Sequence, residues 1–327
     1  MRTTRYFRFA FVAILLLALT TVASAQWVIG RYAGEFLALG AGARALAMGN
    51  AAVAAPTAST AGYYNPSALA TIGTRSVEFM HSAQFDNLYT YDYLSFARPM
   101  AGGYGGGITV LYTRVSDIPR TVLADPSRPL DDNNRVLVAN MFGDHELAFM
   151  ASAGRRFASA WRVGGNAKLL YKTVAGQSAY GLGFDVAAGR TFGKHVEAGA
   201  IVRDVTTSVL AWSTGRTESI LPSFVVGGAW TTSMPSLSAR VTVAADAESH
   251  FESRGSAEQV DAGLLSLVPH IGLEYLIANV VALRGGVSGQ ELTAGAGLRL
   301  AWLNVGAAFQ KNADLGLMQR VSIGALW

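Results

Sequence analysis

The chain has 327 residues, is 51% hydrophobic and only 15% charged, and contains no cysteine. The lack of cysteine excludes a disulfide framework, a thiolate nucleophile and a sulfur metal site. The formal net charge of +4 belongs mainly to the first residues: taking away 1–25 removes Arg2, Arg5 and Arg8 and leaves 23 basic against 22 acidic residues, so there is no basic surface with which to bind nucleic acid.

In chain order, the first element is MRTTRYFRFAFVAILLLALTTVASAQ. Three arginines precede an apolar run from about Phe9 to Leu19, and the small triplet Ala23-Ser24-Ala25 follows. This is the pattern of a secretory signal peptide, with cleavage expected after Ala25. The apolar run is shorter than the roughly 20 residues that a membrane helix needs.

Residues 26–72 form the second segment. It holds FLALGAGARALAMGNAAVAAPTASTAGYYNPSALA, in which Arg44 is the one formal charge. Phe36, Leu39, Ala43, Leu46 and Ala47 fit a turn or two of helix that Gly49-Asn50 would end. Pro56 and Asn65-Pro66 predict turns. Gly40-Ala41-Gly42-Ala43-Arg44-Ala45 misses the dinucleotide-binding pattern, because position 45 is alanine and no strand precedes it. A segment this apolar and this rich in glycine needs a buried place.

From residue 73 to 327 the chain alternates. Trp161, Val163, Gly165, Ala167 and Leu169 make one face, and Arg162, Gly164, Asn166 and Lys168 the other. The same split separates Val196, Ala198 and Ala200 from Glu197 and Arg203, and Val241, Val243 and Ala245 from Arg240, Thr242 and Asp246. A period of two is the signature of a strand with one apolar and one polar face. Segments of this kind start near Thr74, Thr90, Tyr104, His145, Trp161, Ala179, Lys194, Ile220, Pro235, Leu265, Val280, Gln290, Asn304 and Gln319, fourteen in all.

Spread-out apolarity with no stretch of ~18 apolar residues after the signal predicts an all-β chain: a transmembrane antiparallel β-barrel of about 14 strands, with 26–72 as an N-terminal helical or irregular plug. A propeller lacks its 40 to 50 residue repeat here, and apolar faces made of Ala and Gly are thin material for a soluble sandwich core. Tight junctions alternate with longer ones, and the longest polar stretches, 115–144, 207–219 and 246–264, would be outer loops. Phe85, Tyr89, Tyr91, Tyr93, Trp161, Trp212, Trp230, Trp302 and Trp327 are candidates for interfacial girdles. The C-terminal Arg320-Val321-Ser322-Ile323-Gly324-Ala325-Leu326-Trp327 alternates and ends on an aromatic.

No chemistry emerges. His81, His145, His195, His250 and His270 lie in separate segments, no Gly-x-Ser-x-Gly elbow is present, and the glycines of 102–107 lack the Lys-Ser/Thr of a phosphate loop. No catalytic residue, metal site or cofactor is expected. Arginine outnumbers lysine 22 to 4. Arg162, Lys168, Arg203, Arg240, Arg284, Arg299 and Arg320 fall on lumen faces, where they would pair with Asp185, Glu197, Asp246 or Glu274, or hold an anionic head group.

The pattern Phe36-Leu37, Gly42-Ala43-Arg44-Ala45, Met48-Gly49 and Tyr64-Asn65-Pro66 resembles the N-terminal signature of the PorV/PorQ family of outer-membrane proteins in type IX secretion. That family is itself similar to FadL-type transporters of hydrophobic compounds, fourteen-stranded barrels with an N-terminal hatch. The resemblance implies structural plug roles: Asn65 and Pro66 would shape the hatch turn and Gly49 the helix end, with Gly42 and Arg44 structural members of the same motif. It implies a barrel in the outer membrane of a Gram-negative bacterium, in contact with outer-membrane lipid, that handles secreted cargo or secretion components through loops 115–144 and 246–264. In the transporter alternative a hydrophobic ligand occupies the lumen.

Overall fold

The computed structural model describes residues 27–29, 34–84, 88–157, 160–250, 260–261, 266–312 and 316–327. The expected signal peptide lies outside the described residues, as do Phe85 and most of the connection 251–265.

A three-residue strand, β1 (Trp27–Ile29), comes first. Two short helices follow, α1 (Ala43–Ala47) and α2 (Ala61–Tyr64), with 3-10 turns at Glu35–Leu37 and Pro66–Thr71. The strands after them are β2 (Ser76–Gln84), β3 (Tyr89–Met100), β4 (Tyr104–Leu123), β5 (Val136–Phe157), β6 (Trp161–Val174), β7 (Gln177–Phe192), β8 (Val196–Arg203) and β9 (Ser208–Trp212). They continue with β10 (Thr217–Ile220), β11 (Ser223–Met234), β12 (Ala239–His250), β13 (Val260–Asp261), β14 (Ser266–Ile277), β15 (Val281–Ser288), β16 (Glu291–Leu300), β17 (Leu303–Asn312) and β18 (Gly316–Leu326).

Neighbours pair antiparallel all the way round, and β18 returns to β2 with Gln319 opposite Ala83 and Leu326 opposite Ser76. The result is a closed barrel of fourteen staves, in which β8 with β9 and β10 with β11 each form one interrupted stave. Closure matters because a sheet edge in hydrocarbon would leave backbone groups unsatisfied. The alternation decides which face meets lipid. On β7, Tyr180, Leu182, Phe184 and Val186 are exposed, whereas Ala179, Gly183, Asp185 and Ala187 are buried inside.

The start of the first barrel strand and the end of the last meet at the end with the tight turns, where Arg75 and Trp327 exchange backbone hydrogen bonds of 2.9 and 3.1 Å. By the loop asymmetry of such barrels this end is periplasmic. Trp161, Trp230, Trp302 and Trp327 are exposed there, as a girdle requires. Tyr91 and Tyr93 differ from the sequence expectation: both are fully buried and point inward. Trp212 likewise packs against the interior cluster. Alternation within a strand fixes that neighbours face opposite ways, but the register against the closed sheet decides which set faces in.

Three expected loops are corrected. Residues 115–144 are mostly strand, since β4 runs on to Leu123 and β5 begins at Val136, nine residues before the expected start near His145. At 20 and 22 residues these strands reach roughly 65–75 Å, more than twice the hydrocarbon thickness of about 30 Å, so their outer ends project into water. Val136, Leu137 and Val138 are all more than half exposed, because a free two-stranded ribbon has no buried face to impose a period of two. The second loop, 246–264, loses its first residues to β12, which continues to His250, and so Asp246 and Glu248 face the lumen. Residues 207–219 are also largely strand, forming β9 and the start of β10.

Candidate functional site: the lumenal hatch and its wall

Residues 34–72 lie inside the barrel. Helix α1 is built of good helix formers, Ala-Arg-Ala-Leu-Ala, and it stops because Gly49 takes φ +62°. The Gly49 amide donates to the Leu46 carbonyl (3.0 Å) and the Asn50 amide to the Ala45 carbonyl (2.7 Å), a Schellman closure. The helix is shorter than the apolar spacing suggests. Phe36 belongs to the separate turn Glu35–Leu37, because Gly40 and Gly42, at φ +79° and +80°, turn the chain between them.

Asn65 is fully buried and sets the second turn. Its side-chain oxygen accepts from the Ser67 amide (3.1 Å) and hydroxyl (2.6 Å), while its nitrogen donates to the carbonyls of Val53 (2.8 Å) and Ala188 (3.3 Å). Pro66 occupies the first position of the following 3-10 turn, where its missing N–H costs nothing.

The wall accepts this backbone through its glycines. A Cβ at Gly164 would sit 2.5 Å from the Pro66 carbonyl carbon, and one at Gly286 would sit 2.5 Å from the Gly49 nitrogen. Side chains would hold the hatch off the sheet. Leu46 and Leu69 are fully buried as a consequence, each gaining about 1.5–3 kcal/mol from leaving water.

Polar side chains of the wall then satisfy the hatch backbone, as buried N–H and C=O groups require. The Asp246 carboxylate accepts from the Ala52 (2.6 Å) and Val53 (2.8 Å) amides. The Thr293 hydroxyl accepts from the Gly49 amide (3.0 Å), and Ser322 accepts from that of Ala43 (2.8 Å). The Gly42 amide faces the Met80 sulfur at 3.2 Å. Tyr91 and Tyr93 donate to the carbonyls of Gly40 (3.0 Å) and Ser59 (2.8 Å). None of these wall partners was singled out from sequence for such a role, and Asp246, expected to pair with a lumen arginine, accepts from the hatch amides instead; an inward polar residue on an otherwise Ala/Gly face is the signal that marks them.

The lumen charges differ in their partners. Lys168, buried, binds Asp185 (2.7 Å) and Asp204 (2.6 Å). Arg162 binds Glu197 (2.6 Å), and Arg203 binds Glu248 (2.6 Å) while lying 5.7 Å from the Tyr63 ring centroid. Arg44 of the hatch and Arg284 of β15 share Glu274, at 2.9 and 2.7 Å. Arg320 donates to the Leu39 carbonyl and stacks on Tyr91 at 5.5 Å. The Arg240 and Arg299 side chains have no hydrogen bond or ion pair among the described residues. Both line a cavity of about 450 Å³ at the periplasmic mouth, roofed by Arg44 and residues 55–59 of the hatch.

On the outer side of the hatch an apolar cluster holds Phe36, Leu37, Tyr63, Tyr64, Leu170 and Leu210, with Trp212 and Ile220 packed against it. It abuts the place where two neighbouring staves break. The first break is at 204–207, with Asp204 and Thr207 at positive φ, and the second is at Leu221-Pro222. Here β7 leaves β8 after Val186 and resumes with β9 at Leu182, and Lys168, Asp185 and Asp204 fill the interruption. Beyond the second break β10 pairs in parallel with β1, Trp27 opposite Thr217, on the edge that β11 gives to β12.

Among the described residues no group of three or more metal-binding side chains is assembled.

No protein-family model matches the sequence, and no curated protein is similar to it in sequence. Solved structures are similar in fold. The Pseudomonas putida toluene transporter TodX matches 88% of this chain and 96% of its own, with 13% identity and a TM-score of 0.60. The CymD monoaromatic hydrocarbon channel matches 91% and 98%, with 12% identity and a TM-score of 0.61. A Pseudomonas aeruginosa FadL homologue matches 87% and 97%, with 10% identity and a TM-score of 0.51. These neighbours are transport channels of the FadL type and carry no sign of the PorV/PorQ subtype. With its closed wall, lipid-facing apolar belt and alternating connections, the chain has the fold of the FadL-type outer-membrane barrels of Gram-negative bacteria.

Proposed function

We propose that this chain is an outer-membrane channel for a small hydrophobic molecule, gated by the hatch of residues 34–72. The observation that carries it is the apolar and aromatic cluster on the outer side of the hatch, which leads to the broken staves β8–β9 and β10–β11. A hydrophobic solute entering from outside meets Phe36, Tyr63, Leu170 and Leu210, and below them a plug held by hydrogen bonds to single side chains. Shifting the plug exchanges those bonds for bonds to water, at a net cost of only about 0.5–1.5 kcal/mol each. The likeness to a toluene transporter and a monoaromatic hydrocarbon channel supports the same class of solute.

The resemblance to PorV/PorQ carries a second reading, a shuttle of type IX secretion. Its motif residues Gly42, Arg44, Gly49, Asn65 and Pro66 are all engaged in seating the hatch, a need that a transporter shares. The motif therefore supports a plug in either case.

One pair of measurements separates the two readings. Deleting the gene is expected to slow uptake of a labelled monoaromatic hydrocarbon by whole cells severalfold, while proteins carrying a C-terminal secretion domain still reach the surface. Unchanged uptake overturns the channel, and trapping of those proteins in the periplasm establishes the shuttle.

A further inference from the structure

We infer that the periplasmic cavity beneath the hatch is a binding site for an oxyanion, a carboxylate or phosphate group presented from the periplasm. The inference does not depend on which solute passes the hatch. The site is built by the inward faces of consecutive staves. Arg240 and Thr242 come from β12, Glu274 from β14, Arg284 from β15 and Arg299 from β16, with Arg44 reaching in from the hatch. Adjacent staves are about 4.8 Å apart, so the three steps from β12 to β16 span about 14 Å of curved wall, and side chains as long as arginine converge across it.

The charges do not balance. Four guanidinium groups and two carboxylates, Glu274 and Glu78, line the cavity, which leaves at least two positive charges in excess. Glu274 is already shared: its two oxygens take Arg44 at 2.9 and 3.1 Å and Arg284 at 2.7 Å. Glu78 accepts the Ser59 hydroxyl instead of an arginine. Arg240 and Arg299 are thus left facing the cavity with their donors free among the described residues. A guanidinium offers a planar fork that matches a carboxylate or phosphate, and two of them in one concavity hold such a group by more than one fork.

A second observation points the same way. Ser76, 1% exposed, lines this cavity, and its hydroxyl has no hydrogen-bond partner. Of the other hydroxyls lining the cavity, that of Ser322 is taken by the Ala43 amide of the hatch. A buried hydroxyl without a partner, in the wall of a cavity that also holds unmatched arginines, is a further donor for an acceptor that arrives with a ligand. The cavity is also far larger than the ~30 Å³ share of one water, so it admits a group the size of benzoate or phosphate.

The test is calorimetric titration of the full barrel in non-ionic detergent with benzoate, dodecanoate and inorganic phosphate, beside the double variant R240Q/R299Q. Wild type is expected to bind, and the double variant to bind at least tenfold more weakly. If dodecanoate exceeds benzoate and phosphate by tenfold or more, the anion is the head group of an amphiphile. If phosphate matches the carboxylates, it is a free ion. Either pattern supports the site, whereas no binding by wild type, or equal binding by wild type and variant, overturns it. A measurement on wild type alone removes dependence on the variant's folding. Phosphate should protect Arg240 and Arg299, but not the surface Arg155, from phenylglyoxal, as read by mass spectrometry. Equal modification with and without phosphate overturns the proposal.

Discussion

The cations around the wall interruption and those at the periplasmic mouth sit on the same inward face yet are treated in opposite ways. Lys168 is sealed between Asp185 and Asp204, with no more than 7% of any of the three side chains exposed. Arg240 and Arg299 are half-buried and unmatched. Burying a charge costs several kcal/mol unless a partner and hydrogen bonds replace its water, so the sealed cluster must be matched. At the mouth, water does that work until a ligand replaces it. A buried lysine between two buried carboxylates is held in place by them, whereas an unmatched arginine in an open cavity keeps its donors for a ligand.

The sharpest way to break this comparison is Lys168→Met. It leaves Asp185 and Asp204 facing each other without a cation and is expected to destabilise the barrel by about 3–5 kcal/mol. The readout is the temperature at which the compact, heat-modifiable band on a gel is lost, and an unchanged temperature would show that the lysine is not holding the interruption. Adding Asp185→Asn and Asp204→Asn should restore part of the loss.

Two changes act on the hatch alone. Asn65→Ala removes the donor to the Val53 carbonyl and the acceptor for Ser67, an expected cost of about 1–3 kcal/mol borne by the hatch turn. It should make residues 34–72 cleavable by added protease while the barrel stays intact. Gly164→Val places side-chain atoms where the Pro66 carbonyl now lies, an overpacking of about 1–3 kcal/mol. It should raise single-channel conductance in a planar bilayer, and conductance equal to wild type would mean that the turn has room to move aside.

The smallest effect is expected from Arg240→Gln. With no partner to lose at a wet mouth, stability should stay within about 0.5 kcal/mol of wild type by the same gel assay. A large loss would place Arg240 with the sealed cations instead.

Much of the barrel was legible because lipid imposes a strict rule. Every second residue of a spanning strand must be apolar, and β6, with Arg162, Asn166 and Lys168 against Val163, Ala167 and Leu169, obeys it plainly. The rule lapses where lipid ends. The outer halves of β4 and β5 lie in water on both faces, so 115–144 read as a loop although most of it is strand. Tyr91 and Tyr93 read as girdle residues for the related reason that an aromatic favours both an interface and a core.

By itself the sequence determined the kind of wall, the stave count, the need to bury the segment 26–72 and the turns at Gly49 and Asn65-Pro66, because these follow from alternation, glycine and proline acting over a few residues. Tertiary structure alone decided which lumen charges meet. Arg203 finds Glu248 across 45 residues and Arg44 finds Glu274 across 230. Those pairings depend on the register of a closed sheet and on the seat of a hatch that glycines far along the chain make room for. Arg240 and Arg299 are unmatched for the same reason: closure places them beside a carboxylate that Arg44 and Arg284 already share.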